Sequence, residues 1–279
     1  MVGLVASATL AVLWACLLPE AARWQPLALS AMVGAGFMVL AVVPLWGMPA
    51  LQHAPSAVPR APWGTYVRAL VDRLYWRLLL FSCCFSIVNG VTAAAQEAYP
   101  VRVLGIDYAA RQVLQGLMRT GQFLVAPWAG RLADRYGNRP LLIVSQLITA
   151  TGPLFFLAAT PERPWLVAGA FVVWIAYAGI NVGLDNIKLK LAPWHNNAPY
   201  LALYHALSDL ANGVAIVAGG ALLDQLIQAS DAPVGSMAAM GVYAQLFLVA
   251  WIGRTLLVAL LARLVEPGAK RVSDILRGD

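Results

Sequence analysis

Long apolar runs separated by short charged turns set the pattern of this chain. A bilayer-crossing helix needs about 20 apolar residues, and that measure predicts eight segments, at about 1–18, 26–48, 77–98, 110–130, 140–160, 165–187, 199–227 and 240–264. The first run has no positive flank ahead of it and is long enough to span, so it reads as a retained membrane helix, not a cleaved leader. Between the second and third runs the pattern changes. Pro55, Pro59 and Pro62 fall in a stretch without sustained periodicity, which predicts a linker. Trp63, Val67, Leu70 and Leu74 then recur at helical spacing, with Arg68, Asp72 and Arg73 turned elsewhere. That spacing predicts an amphipathic helix on the membrane surface. The expected organisation is two membrane helices over 1–48, a linker with the surface helix over 49–76, a six-helix unit over 77–265 and a tail over 266–279.

Polar side chains inside spanning helices are costly, so their placement is informative. In the fourth segment Gln112, Gln115, Arg119 and Gln122 share one helical face, and in the seventh His205, Ser208, Asp209 and Asn212 do. The sixth carries a stripe of Tyr177, Asn181, Asp185 and Lys188, with Trp174 beside it; the third carries Ser82, Ser86, Asn89 and Gln96 more loosely. The fifth and eighth have few strongly polar residues beyond Gln146, Gln245 and Arg254. Arg119 and Asp209 each lie about nine or ten residues from a segment end, which at 1.5 Å per residue puts both near mid-membrane. Opposite charges at equal depth predict an ion pair or a shared polar site, functional or structural. Arg254 is expected to snorkel or to pack at an interface between halves. Gly213, Gly219 and Gly220 are expected to allow close helix contact or bending, and Trp76, Tyr99, Trp165 and Trp194 to anchor span ends at the interface.

With 61% apolar and 11% charged residues, the chain departs from soluble domains, whose charged share is about 25%. It is an integral membrane chain by composition. The net charge of +6 comes from residues at helix ends and not from one solvated face, which argues against nucleic acid as a partner. Placing the loop before the third segment in the cytoplasm puts thirteen Lys and Arg residues inside and four outside, with both termini inside. Cys16, Cys83 and Cys84 form neither a disulfide framework nor a zinc pattern, and His53, His195 and His205 are scattered, so no metal or cofactor is expected. No nucleophile–base constellation appears. Asp185, Lys188 and His195 are the sole candidates for a membrane enzyme, and the chain is expected not to be one.

The stretch from Gly130 to Leu142 organises the rest. It reads as a tight charged turn, in which Gly130 and Gly137 let the backbone turn and Asp134 complements the positive end of the next helix. The run closely resembles the loop signature of major facilitator superfamily transporters, Gly-x-Leu-Ala-Asp-Arg-x-Gly-Arg-Arg/Lys-x-x-Leu. Gly130, Leu132, Ala133, Asp134, Arg135, Gly137, Arg139 and Leu142 match, and Asn138 departs where the family usually carries a first basic residue.

The resemblance implies an all-α polytopic helix bundle built from two six-helix halves. By the signature's place after the linker, it implies that residues 77–264 are the second half and 1–48 the last two helices of the first. The chain would then be truncated or partial, with four helices ahead of Met1. It implies a transporter in the lipid bilayer of a plasma or bacterial inner membrane, moving a small solute by alternating access with protons as the coupling ion. In the family the first, second, fourth and fifth helices of a half line the central cavity. The candidate solute and proton pathway is therefore Asn89, Gln115, Arg119, Trp174, Tyr177, Asn181, His205, Asp209 and Asn212. Asp209, with His205, is the candidate protonatable element, and Arg119 the group that holds an anion or Asp209 itself. Gly130, Asp134, Arg135, Gly137 and Arg139 form the candidate gating motif, with Asp134 expected to contact the segment starting at Asn196-Asn197-Ala198-Pro199. The alternative is a non-transporting remnant or accessory subunit that binds a partner.

Overall fold

The structure is a computed structural model that describes residues 63–193, 197–230, 240–264 and Glu266, with six isolated helical positions between Met32 and Val43. The first predicted segment, most of the second, the Pro-rich linker and the tail beyond Glu266 lie outside the described residues, as do Trp194, His195 and Asn196. Met1–Arg60 with Asp107–Gly121 forms one compact unit, and Ala61–Ile106 with Gln122–Asp279 the other.

All regular structure among the described residues is helical. The helices are α1 (Trp63–Val71), α2 (Arg73–Arg102), α3 (Tyr108–Tyr136), α4 (Asn138–Ala150), α5 (Gly152–Ala158), α6 (Leu166–Val173), α7 (Tyr177–Leu191), α8 (Ala198–Ala229) and α9 (Met240–Ala262). A single 3-10 turn, Trp174–Ala176, joins α6 to α7. Among the described residues, five stretches are long and apolar enough to cross a membrane: Arg73–Arg102, Asn138–Ala158, Leu166–Leu191, Ala198–Ala229 and Met240–Ala262. The chain is an all-α polytopic membrane protein. At 29 residues α3 has the length of a span, but its glutamines and arginines make it too polar to qualify by composition.

Local chemistry explains the breaks. Asp72 sits in extended conformation between α1 and α2 and accepts from the amides of Leu74 at 2.9 Å and Tyr75 at 3.3 Å. This carboxylate N-cap satisfies donors that the helix start leaves open. Leu74 therefore belongs to α2, one element later than its helical spacing with Trp63 suggested. Gly105 (φ 66°) makes the turn from α2 to α3, in a region that costs other residues strain.

The signature turn is tighter than the sequence reading. α3 runs straight through Gly130 and ends at Tyr136, and only Gly137 (φ 101°) turns the chain. Gly130 faces open space, so neither packing nor a special dihedral requires glycine there. Asp134 accordingly lies in the last turn of α3, exposed to solvent, and not at the start of α4.

In the unit holding α2 and α4–α9, the core has two centres. Near the signature end, Tyr75, Leu78, Phe81, Leu142, Ile180, Ile187, Tyr204 and Leu261 pack together, and Tyr75 Oη donates to the Tyr200 carbonyl at 2.7 Å. At the opposite end Tyr99, Tyr243, Phe247, Phe156 and Trp174 form a chain of ring contacts 5.1–6.4 Å apart. Tyr99 donates to the Ala159 carbonyl at 2.7 Å and is 2% exposed. It is a core residue and not the interfacial anchor its position suggested; Trp76 and Trp165 are exposed at their span ends. Small residues bring α2 and α8 together: a Cβ added at Gly90 would lie 2.7 Å from Ala215 Cβ, and one at Gly219 would overlap the Val91 backbone. Such close backbone approach is how membrane helices gain packing contacts that lipid does not supply.

Candidate functional site

Polar residues from α2, α7 and α8 meet along one strip. Tyr177 Oη donates to Asn89 Oδ1 at 3.1 Å, and Asn89 Nδ2 donates to the Phe85 carbonyl at 2.8 Å. About two turns toward the signature end, Ser82 Oγ donates to Tyr204 Oη at 2.8 Å. The buried Lys188 ammonium lies 4.7 Å from the centre of the Tyr204 ring and pairs with the exposed Asp185 at 2.6 Å. The lysine tail is covered by the bundle while its charge is met by a ring face and a carboxylate. Asn181 is exposed on α7.

On α8, Asp209 and His205 are both exposed and Asn212 is half-buried. Asp209 sits about eleven residues into the helix, roughly 17 Å from its start at 1.5 Å per residue. A carboxylate that the bundle leaves uncovered deep in a spanning helix is a functional-site signal. Gln115 and Arg119 are half-buried on α3, within the Asp107–Gly121 stretch that belongs to the other unit. Trp174 does not join Tyr177. The 3-10 turn that begins at Trp174 directs its ring instead against Phe156, Phe171 and the guanidinium of Arg254, 5.5 Å away. Arg254, 2% exposed, neither snorkels nor reaches a surface.

At the signature end the decisive residue, Glu266, belongs to no motif and is distant from the signature in the chain. Glu266, just beyond α9, accepts from the Arg139 amide at 2.6 Å, from Asn138 Nδ2 at 2.7 Å and from Lys190 Nζ at 2.9 Å. Asn186 Nδ2 donates to Asn138 Oδ1 at 2.9 Å, and the Arg139 guanidinium donates to the Ala262 carbonyl. Gly137, the residue ahead of α4, has no side chain to cap it. Glu266 supplies the missing anion at the helix N-terminus, where dipole and open amides favour one. Burial alone would raise this carboxyl; Lys190, the Arg139 amide and Asn138 outweigh it and hold the group below the usual carboxylate range. The carboxylate at the positive end of α4 is thus Glu266 and not Asp134. Asn138, the departure from the signature, is 1% exposed and holds the centre of this latch.

Arg131 and Arg135 project from the last turns of α3 and lie over the Trp128 ring at 5.8 Å and the Tyr136 ring at 5.0 Å. Asn197, at the start of α8, makes no side-chain cap bond.

Residues 78–275 match the family model of the Major Facilitator Superfamily. The chain belongs to this family. Its membrane-spanning helices and its family together make it an integral membrane protein. The tetracycline resistance protein, class C, of Escherichia coli is 43% identical over 67 residues, a stretch covering 24% of this chain and 14% of that relative. No solved structure matches the chain. Among the described residues two polar places of different character stand out: the strip of α2, α7 and α8, and the Glu266 latch at the start of α4 and just beyond the end of α9, reached by Lys190 near the end of α7.

Proposed function

We propose that this superfamily member is a secondary transporter, or the C-terminal part of one, that carries a small solute across a cell membrane by alternating access. The observation that carries the reading is Asp209, an exposed carboxylate inside a spanning helix of a family chain. It is the protonatable element that couples solute movement to a proton gradient, with His205 one turn away on the same face. Asn89, Tyr177, Asn181 and Asn212 offer neutral hydrogen-bonding groups to the solute. Gln115 and Arg119, on the part of α3 that belongs to the other unit, offer an amide and a guanidinium that suit an anionic solute. The thirteen-to-four distribution of basic residues supports a signature end that faces the cytoplasm. There the Glu266 latch holds the ends of α4, α7 and α9 together and is part of the inner gate. The 67-residue likeness makes tetracycline the first solute to try.

Proteoliposomes containing the chain and an imposed pH gradient test the proposal. Gradient-driven tetracycline flux is expected in the parent, and Asp209→Asn is expected to abolish the gradient-driven part while leaving solute binding intact. Undiminished gradient-driven flux in Asp209→Asn overturns the coupling role. Absence of flux for tetracycline and a panel of other small solutes overturns transport by this chain alone and favours the accessory-subunit reading.

A further inference from the structure

The short helix ahead of the first described span has two opposed faces. On one side of α1, Ala69 is fully buried and joins the core around Tyr75 and Tyr200. With about 3.6 residues per turn, Val67, Leu70 and Val71 fall on the other side, where they are 55%, 39% and 76% exposed. Leu74 and Trp76 are exposed as well, just past the Asp72 break. Exposed apolar side chains gain free energy only if something other than water covers them. α1 stands at the signature end and leads directly into α2, a helix that is long and apolar enough to span. Its outer face therefore lies where the bilayer surface begins, the setting in which an amphipathic helix rests in the interface plane.

The edge of this face is basic. Arg68 closes the last turn of α1 and Arg73 opens α2; both are exposed, and neither forms an ion pair among the described residues. Asp72, the carboxylate between them, is committed to the amides of Leu74 and Tyr75. One turn beyond Arg73, Arg77 donates to the carbonyl of Arg263, itself an exposed arginine. Guanidinium groups present paired donors that match phosphate oxygens, and basic residues next to a membrane are drawn to anionic lipid.

We propose that α1 is a binding surface for anionic phospholipid. Val67, Leu70 and Val71 enter the acyl boundary, and Arg68 and Arg73 hold the headgroup phosphate. A zwitterionic headgroup brings an ammonium that the arginines repel, so the surface selects lipid of net negative charge. Another protein is a poorer fit: three apolar side chains on a nine-residue helix fall far short of the roughly 800 Å² per partner that a stable protein interface buries. The surface is separate from the polar strip of α2, α7 and α8 and from the Glu266 latch, and it requires no transport.

Fluorescence quenching in bilayer nanodiscs tests this on the full chain. The probe is bimane on Val71→Cys, in a chain with Cys16, Cys83 and Cys84 replaced. The bilayer is phosphatidylcholine with a small fraction of spin-labelled lipid, either phosphatidylglycerol or phosphatidylcholine. Quenching by the labelled phosphatidylglycerol is expected to exceed that by labelled phosphatidylcholine by about fivefold. Arg68→Gln with Arg73→Gln should bring the two to equality, whereas Arg68→Lys with Arg73→Lys keeps the charge and should keep most of the preference. Arg163→Gln, at an exposed position in the loop between α5 and α6, should leave the preference unchanged. Equal quenching by both lipids in the parent overturns the selectivity. No quenching by either means that water or protein covers the face, and overturns the proposal outright. A preference that survives the double glutamine variant removes Arg68 and Arg73 from the site and overturns it as well.

Discussion

Replacing Glu266 by glutamine keeps the shape of the side chain and removes its charge, so it isolates what the carboxylate does. The amide can accept through one atom only, and its nitrogen then faces the donors of Asn138, Arg139 and Lys190. Hydrogen bonds to charged groups contribute about 1.5–3 kcal/mol each when intact, and part of that is recovered by the remaining oxygen. We expect Glu266→Gln to lower unfolding stability by about 1–3 kcal/mol, measured by denaturation in detergent. Lys190→Gln should cost less, because its side chain is 51% exposed and water replaces the partner it loses. The pH dependence follows from the direction of the shift. A carboxyl held below its ordinary 4.5 contributes stability that is present above that value and lost as pH falls through the lowered one. The difference between parent and Glu266→Gln should therefore be constant near neutrality and shrink as pH falls below 4.5. A difference that grows on acidification would show that the Glu266 carboxylate does not stabilise the latch. The turn is legible in the sequence but its anion is not: Glu266 is distant from the signature in the chain, and only folding brings the end of α9 to the start of α4.

Helix packing sorts glycines that look alike in the sequence. Gly213, Gly219 and Gly220 suit close helix contact or bending by sequence, and among the described residues Gly219 alone of the three meets another helix. A Cβ at Gly219 would overlap the backbone of Val91, whereas Gly213 and Gly220 have nothing within 4 Å. Backbone cannot move aside as a flexible side chain can, so α2 and α8 would have to separate. Gly219→Val should greatly reduce the yield of monodisperse protein in detergent, and Gly213→Ala should leave it unchanged; equal yields would show that this crossing is not tightly packed. The same distinction explains how far the elements were legible. Runs of apolar residues give span positions well, because the bilayer imposes length and composition directly. Side-chain direction is harder. Trp174 and Tyr177 are three apart and belong to one face of an ideal α-helix, but the 3-10 turn at Trp174–Ala176 sends them to different neighbours. Gly130 resembles a turn residue because it opens the signature, and α3 continues through it because Arg131 to Arg135 are acceptable helix formers with no packing conflict.

For the molecule as a whole, orientation is the property on which gate, latch and coupling all depend. The basic residues of the signature, Lys188 and Lys190 and the residues around Arg263 lie at one end of the spans, and Arg163 lies in the loop between α5 and α6 at the other. Insertion retains Lys and Arg on the cytoplasmic side in short loops, so the signature end should face inward. Single cysteines placed at Glu162 and at Arg135, in a chain with Cys16, Cys83 and Cys84 replaced, test this in intact cells with a membrane-impermeant maleimide. Both positions are exposed, so access to the reagent and not burial decides labelling. Position 162 should label from outside, and position 135 only after the membrane is opened. The reverse pattern would turn the Glu266 latch into an outer closure and invert the direction in which Asp209 exchanges protons. Labelling of both from outside would mean that the stretch between them does not cross an odd number of times, which two adjacent turns joined by the single span Asn138–Ala158 do not permit.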